Sequence, residues 1–170
     1  MIFANNKYMI KSRPIIFVLS LIFLLGLAGL TNRGESWDEF LLHRYASRSL
    51  ESYQTWVLEG DVRLTLDDLG GYGPAFVMFD ELAFRILENL LPFHPTDVYH
   101  LINFAVYLVG LWAFYDISVR WLSNTAAIGS TLLFGTQPVF WGHAFMNSKD
   151  IPFLAFFLLS LALGFRMIDA

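Results

Sequence analysis

The sequence predicts an all-α membrane protein with about four transmembrane helices and two amphipathic surface helices in the first external loop. Apolar residues make up 56% of the chain and charged residues only 15%, whereas a soluble domain has roughly 25% charged residues. At about 20 residues per membrane helix, 170 residues suffice for three to five spans. This composition excludes a water-soluble multidomain enzyme, and the absence of cysteine excludes disulfides, a thiolate nucleophile and a cysteine zinc site.

The first predicted span covers residues 14–30, a run of apolar or small residues without a charge. Lys7, Lys11 and Arg13 precede it, so its start is expected in the cytoplasm. A signal peptide has the same polarity, but its apolar region is about 7–15 residues long and ends at a small-x-small cleavage site. This run ends in Gly-Leu-Thr-Asn-Arg-Gly-Glu, which favours a retained span.

Residues 31–97 form the predicted external loop, because they contain twelve acidic residues and five arginines. Ser36 to Glu39 fits a capping box ahead of a helix that continues to about Leu58 and stops at Gly60. The string Gly70-Gly71-Tyr72-Gly73-Pro74 predicts a turn and the start of a second helix.

The second surface helix is predicted from its periodicity. Apolar residues recur at helical spacing from Pro74 onward: Phe76, Phe79, Ala83, Ile86 and Leu90. Glu81, Arg85 and Glu88 fall on another side, and Glu81 and Arg85 are spaced to pair within the helix. Four charges between Asp80 and Glu88 argue against a span, so this helix is expected on the membrane surface.

Three further spans are predicted at residues 98–119, 125–141 and 151–166, the third span ending near Gln137-Pro138. The resulting alternation places Arg120 and Arg166 on the same side as the basic N-terminus, in agreement with the positive-inside rule. Asp116 is expected to pair with Arg120 one helical turn away. Residues 1–170 are therefore interpreted as a single transmembrane module.

The first candidate site is Asp38 with Glu39. Acidic residues in the first turn of a helix stabilise its dipole, and Glu39 can close the capping box on Ser36. This structural interpretation accounts for Glu39 better than for Asp38. The functional interpretation is that Asp38, close to the end of the first span, acts as a general base on a hydroxyl acceptor.

The second candidate site is the segment from His143 to Asp150. Asn147 or Ser148 can start the fourth span, with Asp150 in its first turn and Pro152 shortly after. Lys149, however, is the single basic residue of the second external loop, where positive charge has no topological purpose. A lysine and a histidine beside a membrane can hold a phosphate. Asp67-Asp68 is interpreted as a turn, although paired carboxylates can hold a divalent cation.

Together these residues resemble the N-terminal part of integral-membrane glycosyltransferases of the GT-C type. The pattern is a first helix, an external Asp-Glu pair, two surface helices and a string from Gly142 to Pro152 that opens the fourth span. It is most similar to the bacterial branch of dolichyl-phosphate-mannose protein mannosyltransferases and of aminoarabinose and galacturonic acid transferases. The resemblance extends from about Pro14 to Arg166, and the Gly142–Pro152 string is its most specific part.

The resemblance implies an enzyme that transfers a sugar from a polyprenyl-phosphate donor to a hydroxyl of a glycan, lipid or protein, with inversion. Asp38 would be the catalytic base and Glu39 its companion. His143, Asn147, Lys149 and Asp150 would bind substrate at the external face of a multi-pass inner membrane. No cofactor, divalent metal or nucleic acid is implied, and membrane lipids are expected partners.

The chain has fewer membrane helices than the proteins it resembles, so we interpret it as a fragment, a truncated product or half of a split enzyme, inactive alone. The alternatives are a noncatalytic membrane scaffold or interaction subunit, and a transporter component. A transporter site favours ionisable residues within the spans and a pair of Gly/Pro-broken helices. The spans contain few ionisable residues and no recognised Gly/Pro-broken helix pair, which argues against a transporter component. The sequence does not specify the sugar or the acceptor.

Overall fold

The computed structural model describes residues 5–60 and 73–169, with the backbone alone for residues 5–13. These residues form seven α-helices and one 3-10 turn, without a strand, so the all-helical prediction is confirmed. The helices are α1 (Asn5–Ala28), α2 (Glu39–Glu59), α3 (Ala75–Leu87), α4 (Pro95–Ser118), α5 (Asn124–Gly135), α6 (Pro138–Met146) and α7 (Asp150–Ile168), and the 3-10 turn is Leu30–Asn32.

Two helices of the described chain, α4 and α7, are long and apolar enough to cross a membrane by length and composition. They include most of the predicted spans 98–119 and 151–166. The apolar part of α1, Pro14–Ala28, is shorter.

The third predicted span is not one helix. Residues 124–146 form α5 and α6, separated by Thr136 and Gln137. Pro138 lacks a backbone N–H and its ring crowds the preceding turn, so a continuous helix is disfavoured here. The hydroxyl of Tyr107 donates a 2.9 Å hydrogen bond to the carbonyl of Gly135, which satisfies one acceptor at the break. The predicted span over 125–141 therefore comprises α5 and the start of α6, and the helix breaks close to Gln137-Pro138, where the sequence suggested that the span ends.

Helix α4 is the centre of the fold and packs against α1, α3, α5, α6 and α7. Small residues permit its closest approaches: a Cβ added to Gly110 would lie 3.0 Å from the Cα of Ala155 in α7. A Cβ at Gly26 of α1 would overlap the ring of Phe104. Close backbone approach at small residues is typical of helix packing in membranes.

Helix α3 buries its polar face and exposes its apolar face, the reverse of a surface helix in a soluble protein. Asp80 and Glu81 are buried against the rest of the molecule, together with Val77. Apolar residues that the periodicity placed on the other face, including Phe79 and Ile86, are exposed. An exposed apolar face with a polar inner face is the arrangement expected where lipid contacts the outer face.

Two ion pairs connect α4 to the C-terminal end of α7. Arg166 contacts both carboxylate oxygens of Asp116, at 2.9 and 2.7 Å, and Arg120 pairs with Asp169. Charges that were expected to pair within α4 therefore join the two helices.

Candidate functional site

Asp38 and Lys149 meet at the ends of two helices. Asp38 is the residue before α2 and Lys149 the residue before α7, and Lys149 Nζ lies 2.5 Å from Asp38 Oδ2. The side chain of Asp38 is 36% exposed and that of Lys149 is 28% exposed. The structure thus brings together one residue from each predicted site, and both remain accessible to solvent.

Asn147 holds the backbone that carries Lys149. Its Oδ1 accepts hydrogen bonds from the backbone N–H groups of Lys149, at 3.1 Å, and Asp150, at 2.9 Å. Its Nδ2 contacts His143 Nδ1 at 3.1 Å and donates to Asp150 Oδ2 at 2.9 Å. The residue before the helix is Lys149, and Asn147 fixes the turn that leads into it. His143 and Asp150 are exposed, and both contact the Asn147 amide that holds the backbone of Lys149.

The electrostatics of Asp38 keep its carboxyl ionised. The hydrogen bond from Lys149 is the largest cause of a pKa below its ordinary value, and partial burial opposes it. Ser36 Oγ adds a 3.1 Å hydrogen bond to Oδ1. A carboxylate in this state is a weak base until the lysine is removed from it.

Glu39 does not accompany Asp38 in this pair. Its side chain is only 2% exposed, and Oε1 lies 3.0 Å from His100 Nε2, which is equally buried. Oε2 accepts a 2.9 Å hydrogen bond from the backbone N–H of Ser36. One half of the predicted capping box is therefore present, and Glu39 is in a separate interior environment.

We call Glu39, His100, Asp80, Glu81 and Tyr99 the buried cluster, located where α2, α3 and α4 meet. Glu81 Oε2 accepts a 2.5 Å hydrogen bond from Tyr99, and Oε1 accepts bonds from Ser47, at 3.0 Å, and Arg85, at 2.8 Å. The predicted Glu81 and Arg85 pair is thus confirmed.

Two atoms of the buried cluster, Asp80 Oδ1 and His100 Nδ1, have no hydrogen-bond partner among the described residues. Burial is the main reason that the pKa of Asp80 rises to about 8, and the nearby Glu81 and Glu39 add to it. This pKa favours the neutral acid at pH 7. In the sequence these charges argue against a span, and acidic residues on an otherwise apolar helix were the available signal for a buried cluster.

Arg33 lies in neither of the two predicted sites, and the structure gives it an unusual environment. Its guanidinium lies 3.6 Å from the centre of the Phe145 ring, and its buried Nε has no hydrogen-bond partner in the part of the chain that the structure describes. Its position just before the Asp-Glu pair was the available signal.

Among residues 5–60 and 73–169, no group of three or more His, Asp or Glu side chains is arranged to hold a metal ion. Asp67-Asp68 and the Gly70–Tyr72 part of the predicted turn lie outside the described residues.

Comparisons with known proteins found no matching protein-family model, no matching curated protein and no matching solved structure.

Proposed function

We propose that this chain is a membrane-embedded glycosyltransferase module that moves a sugar from a polyprenyl-phosphate donor to an acceptor hydroxyl, with inversion. The observation that supports this most is the ion pair between Asp38 and Lys149. The reaction needs a carboxylate that takes a proton and a cation that attracts a phosphate. Both groups are present, accessible, and next to each other although 111 residues separate them.

The ion pair suggests how the two groups would work in sequence. A donor phosphate that binds Lys149 competes with Asp38 for the same ammonium group. The displaced carboxylate loses the contact that most lowers its pKa and becomes a stronger base. Donor binding would thus prepare the base for the acceptor.

In the proposed reaction Asp38 accepts the proton of the acceptor hydroxyl. The acceptor oxygen forms a bond to the anomeric carbon while the bond from that carbon to the phosphate oxygen breaks. Polyprenyl phosphate leaves as an anion, and Lys149 stabilises the charge that develops on it. Attack opposite the leaving group inverts the configuration.

We propose four membrane crossings, with both ends of the module in the cytoplasm and residues 31–97 outside. The apolar helices α1, α4 and α7 would each cross, and α5 and α6 would together form the broken third crossing. The exposed apolar face of α3 supports a position at the lipid surface. The α4–α7 ion pairs lie at the end of the bundle to which this topology assigns the positive charge.

The outer face of α7 fits either lipid or additional helices. Phe153, Phe157 and Met167 are exposed there, as is expected where a helix faces hydrocarbon or a neighbouring span. The acceptor would be a glycan, lipid or protein that reaches the external face.

A noncatalytic scaffold is the second candidate, because the same ion pair can act as a clasp between the segment before α2 and the segment before α7. Exposed ion pairs contribute about 0–1 kcal/mol to stability, which is little for a pair whose only role is to hold two segments together. The broken α5–α6 helix is one feature that a transporter component can use, since such breaks can line binding sites. Tyr107, however, already satisfies the Gly135 carbonyl at this break.

The deciding experiment is sugar transfer by the full product of the gene, reconstituted in vesicles with undecaprenyl phosphate linked to radiolabelled mannose, galacturonic acid or aminoarabinose. Asp38→Asn should lower the transfer rate by about 10²- to 10⁴-fold without changing the amount of inserted protein. Glu51→Gln, an exposed acid of α2, is the matched control and should retain the rate. Transfer by Asp38→Asn at the wild-type rate would refute the proposed role of Asp38.

A further inference from the structure

We infer that Arg33 is a second cation of the site and that Arg33 and Lys149 together bind the phosphate of a lipid-linked donor. The inference rests on the proposed function for the identity of the donor. It assigns a binding role to a residue that neither predicted motif contains.

The Arg33 guanidinium is held in place by an aromatic platform. It lies 3.6 Å from the centre of the Phe145 ring, and that ring stacks on Phe104 of α4 at 4.4 Å. Trp141 packs edge-on against Phe145 at 5.9 Å. A cation over the face of an aromatic ring is favourable, so this contact holds the guanidinium in place without a carboxylate.

Those N–H groups are not occupied by an acid. No hydrogen bond from Arg33 to another described residue is present, and Nε is buried without a partner. Three other described cations each have a carboxylate: Lys149 has Asp38, Arg85 has Glu81 and Arg166 has Asp116. A partly buried guanidinium without an anion is costly, and an incoming anion would offset that cost.

Arg33 and Lys149 border the same junction between two loops. Arg33 contacts Phe145, and Asp38, five residues later, contacts Lys149, four residues after Phe145. These two contacts tie the segment 33–38 to the segment 145–149 at both of their ends. Glu35, within the first segment, accepts a 2.7 Å hydrogen bond from Thr96 Oγ1, which fixes the segment to the start of α4.

A phosphate is the anion that these two cations suit. A guanidinium can donate two parallel hydrogen bonds to a phosphate, and a lysine supplies a compact charge. Burial lowers the pKa of Arg33, yet arginine stays protonated in proteins. Arg33 would hold the phosphate while Lys149 exchanges Asp38 for it.

The test is equilibrium binding of radiolabelled undecaprenyl phosphate to the wild-type chain and its variants in phosphatidylcholine vesicles. Arg33→Gln should weaken binding about ten- to a hundredfold, the range for a hydrogen bond to a charged group. Arg33→Lys should recover part of the loss because it restores the charge. Arg44→Gln is the matched control, since Arg44 also lies over a phenylalanine, Phe40, at 5.7 Å but is exposed on α2; it should change binding less than twofold.

Equal binding by Arg33→Gln and the wild type would overturn the inference. A thermal unfolding curve in detergent verifies that each variant is folded. Competition by inorganic phosphate or by phosphatidic acid vesicles at the same concentration as the lipid carrier would overturn the assignment to a lipid-linked donor.

Binding is measured without sugar transfer, so the two proposals can fail separately. Arg33-dependent binding in a chain that never transfers sugar would retain the phosphate site and refute the transferase. Sugar transfer that depends on Asp38 but has an unchanged KM for the donor in Arg33→Gln would retain the transferase and refute the role of Arg33 in the phosphate site.

Discussion

Asp38 and Glu39 are consecutive in the chain, and the structure gives them opposite surroundings. Asp38 faces solvent with Lys149, and its side chain is 36% exposed. Glu39 turns inward to His100, and its side chain is 2% exposed. The first residue of a helix and the residue before it point in different directions, so one dipeptide supplies both an accessible charged group and an interior one.

The difference in burial decides what each pair can contribute. An exposed ion pair contributes about 0–1 kcal/mol to stability, so the Asp38 and Lys149 groups can be separated by a ligand at little cost. Removing one partner of a buried pair costs about 3–5 kcal/mol because the other remains desolvated. We therefore assign chemistry to the exposed pair and assembly of α2, α3 and α4 to the buried cluster.

The largest expected effect comes from removing a partner in the buried cluster. His100→Ala should destabilise the fold by about 3–5 kcal/mol, because Glu39 loses its partner in the interior. The measurement is thermal or denaturant unfolding in detergent. Asp38→Asn is the comparison and should change stability by no more than about 1 kcal/mol. Equal losses in the two variants would show that burial does not distinguish the pairs.

The next effect is the pH dependence caused by Asp80. Its pKa is about 8 in the folded protein, against an ordinary value of 3.8. Between these values the unfolded chain has released the proton and the native chain retains it. Stability should therefore fall as pH rises, by up to about 1.4 kcal/mol per pH unit.

Asp80→Asn tests this dependence, because an amide of similar shape cannot ionise. The variant should be more stable than the wild type at pH 7 and should lose most of the slope between about pH 5 and pH 8. Unfolding midpoints across that range are the readout, with the exposed Asp150→Asn as control. An unchanged slope would mean that Asp80 is already ionised in the folded protein.

The smallest expected effect is that of Lys149→Met on stability. The pKa of Asp38 is lowered in the folded protein, so its pair stabilises the fold above the unfolded pKa and loses that contribution as pH falls through the folded pKa. At 36% exposure the contribution is about 1 kcal/mol or less. In the wild type, the free energy of unfolding should be lower at pH 3 than at pH 7 in part because this contribution is lost. In the variant, the difference between the two pH values should be smaller by about 1 kcal/mol or less. A destabilisation of several kcal/mol at pH 7 would instead indicate a structural clasp.

Much of the helical architecture could be predicted from periodicity and capping residues. The stop at Gly60 and the helix start after Pro74 agree with α2 and α3. The break before Pro138 was visible in the sequence but was interpreted as the end of a span. A break inside a span needs a partner for the freed carbonyl of Gly135, and that partner, Tyr107, is brought there only by the tertiary fold. The orientation of α3 was also hidden, since periodicity identifies two faces without showing which one packs inward.

The candidate site was predictable where ionisable residues stand next to apolar runs. Asp38 and Lys149 were selected in this way, and the structure brings them into contact. Glu39 was assigned to the same site because of its neighbour, but the direction of a side chain at a helix start depends on the residues that pack against it. Arg33 was missed because its aromatic partner, Phe145, is 112 positions away in the sequence.

The most direct test of the account is the pKa of the Asp38 carboxyl, measured by infrared difference spectroscopy with and without undecaprenyl phosphate in the vesicles. Asp38→Asn identifies its band. Without the lipid, the pKa should lie below the ordinary value of 3.8, and saturation with the lipid should raise it because Lys149 has exchanged Asp38 for phosphate. A pKa that is low and unchanged by the lipid would contradict the exchange and leave the ion pair as a fixed structural contact.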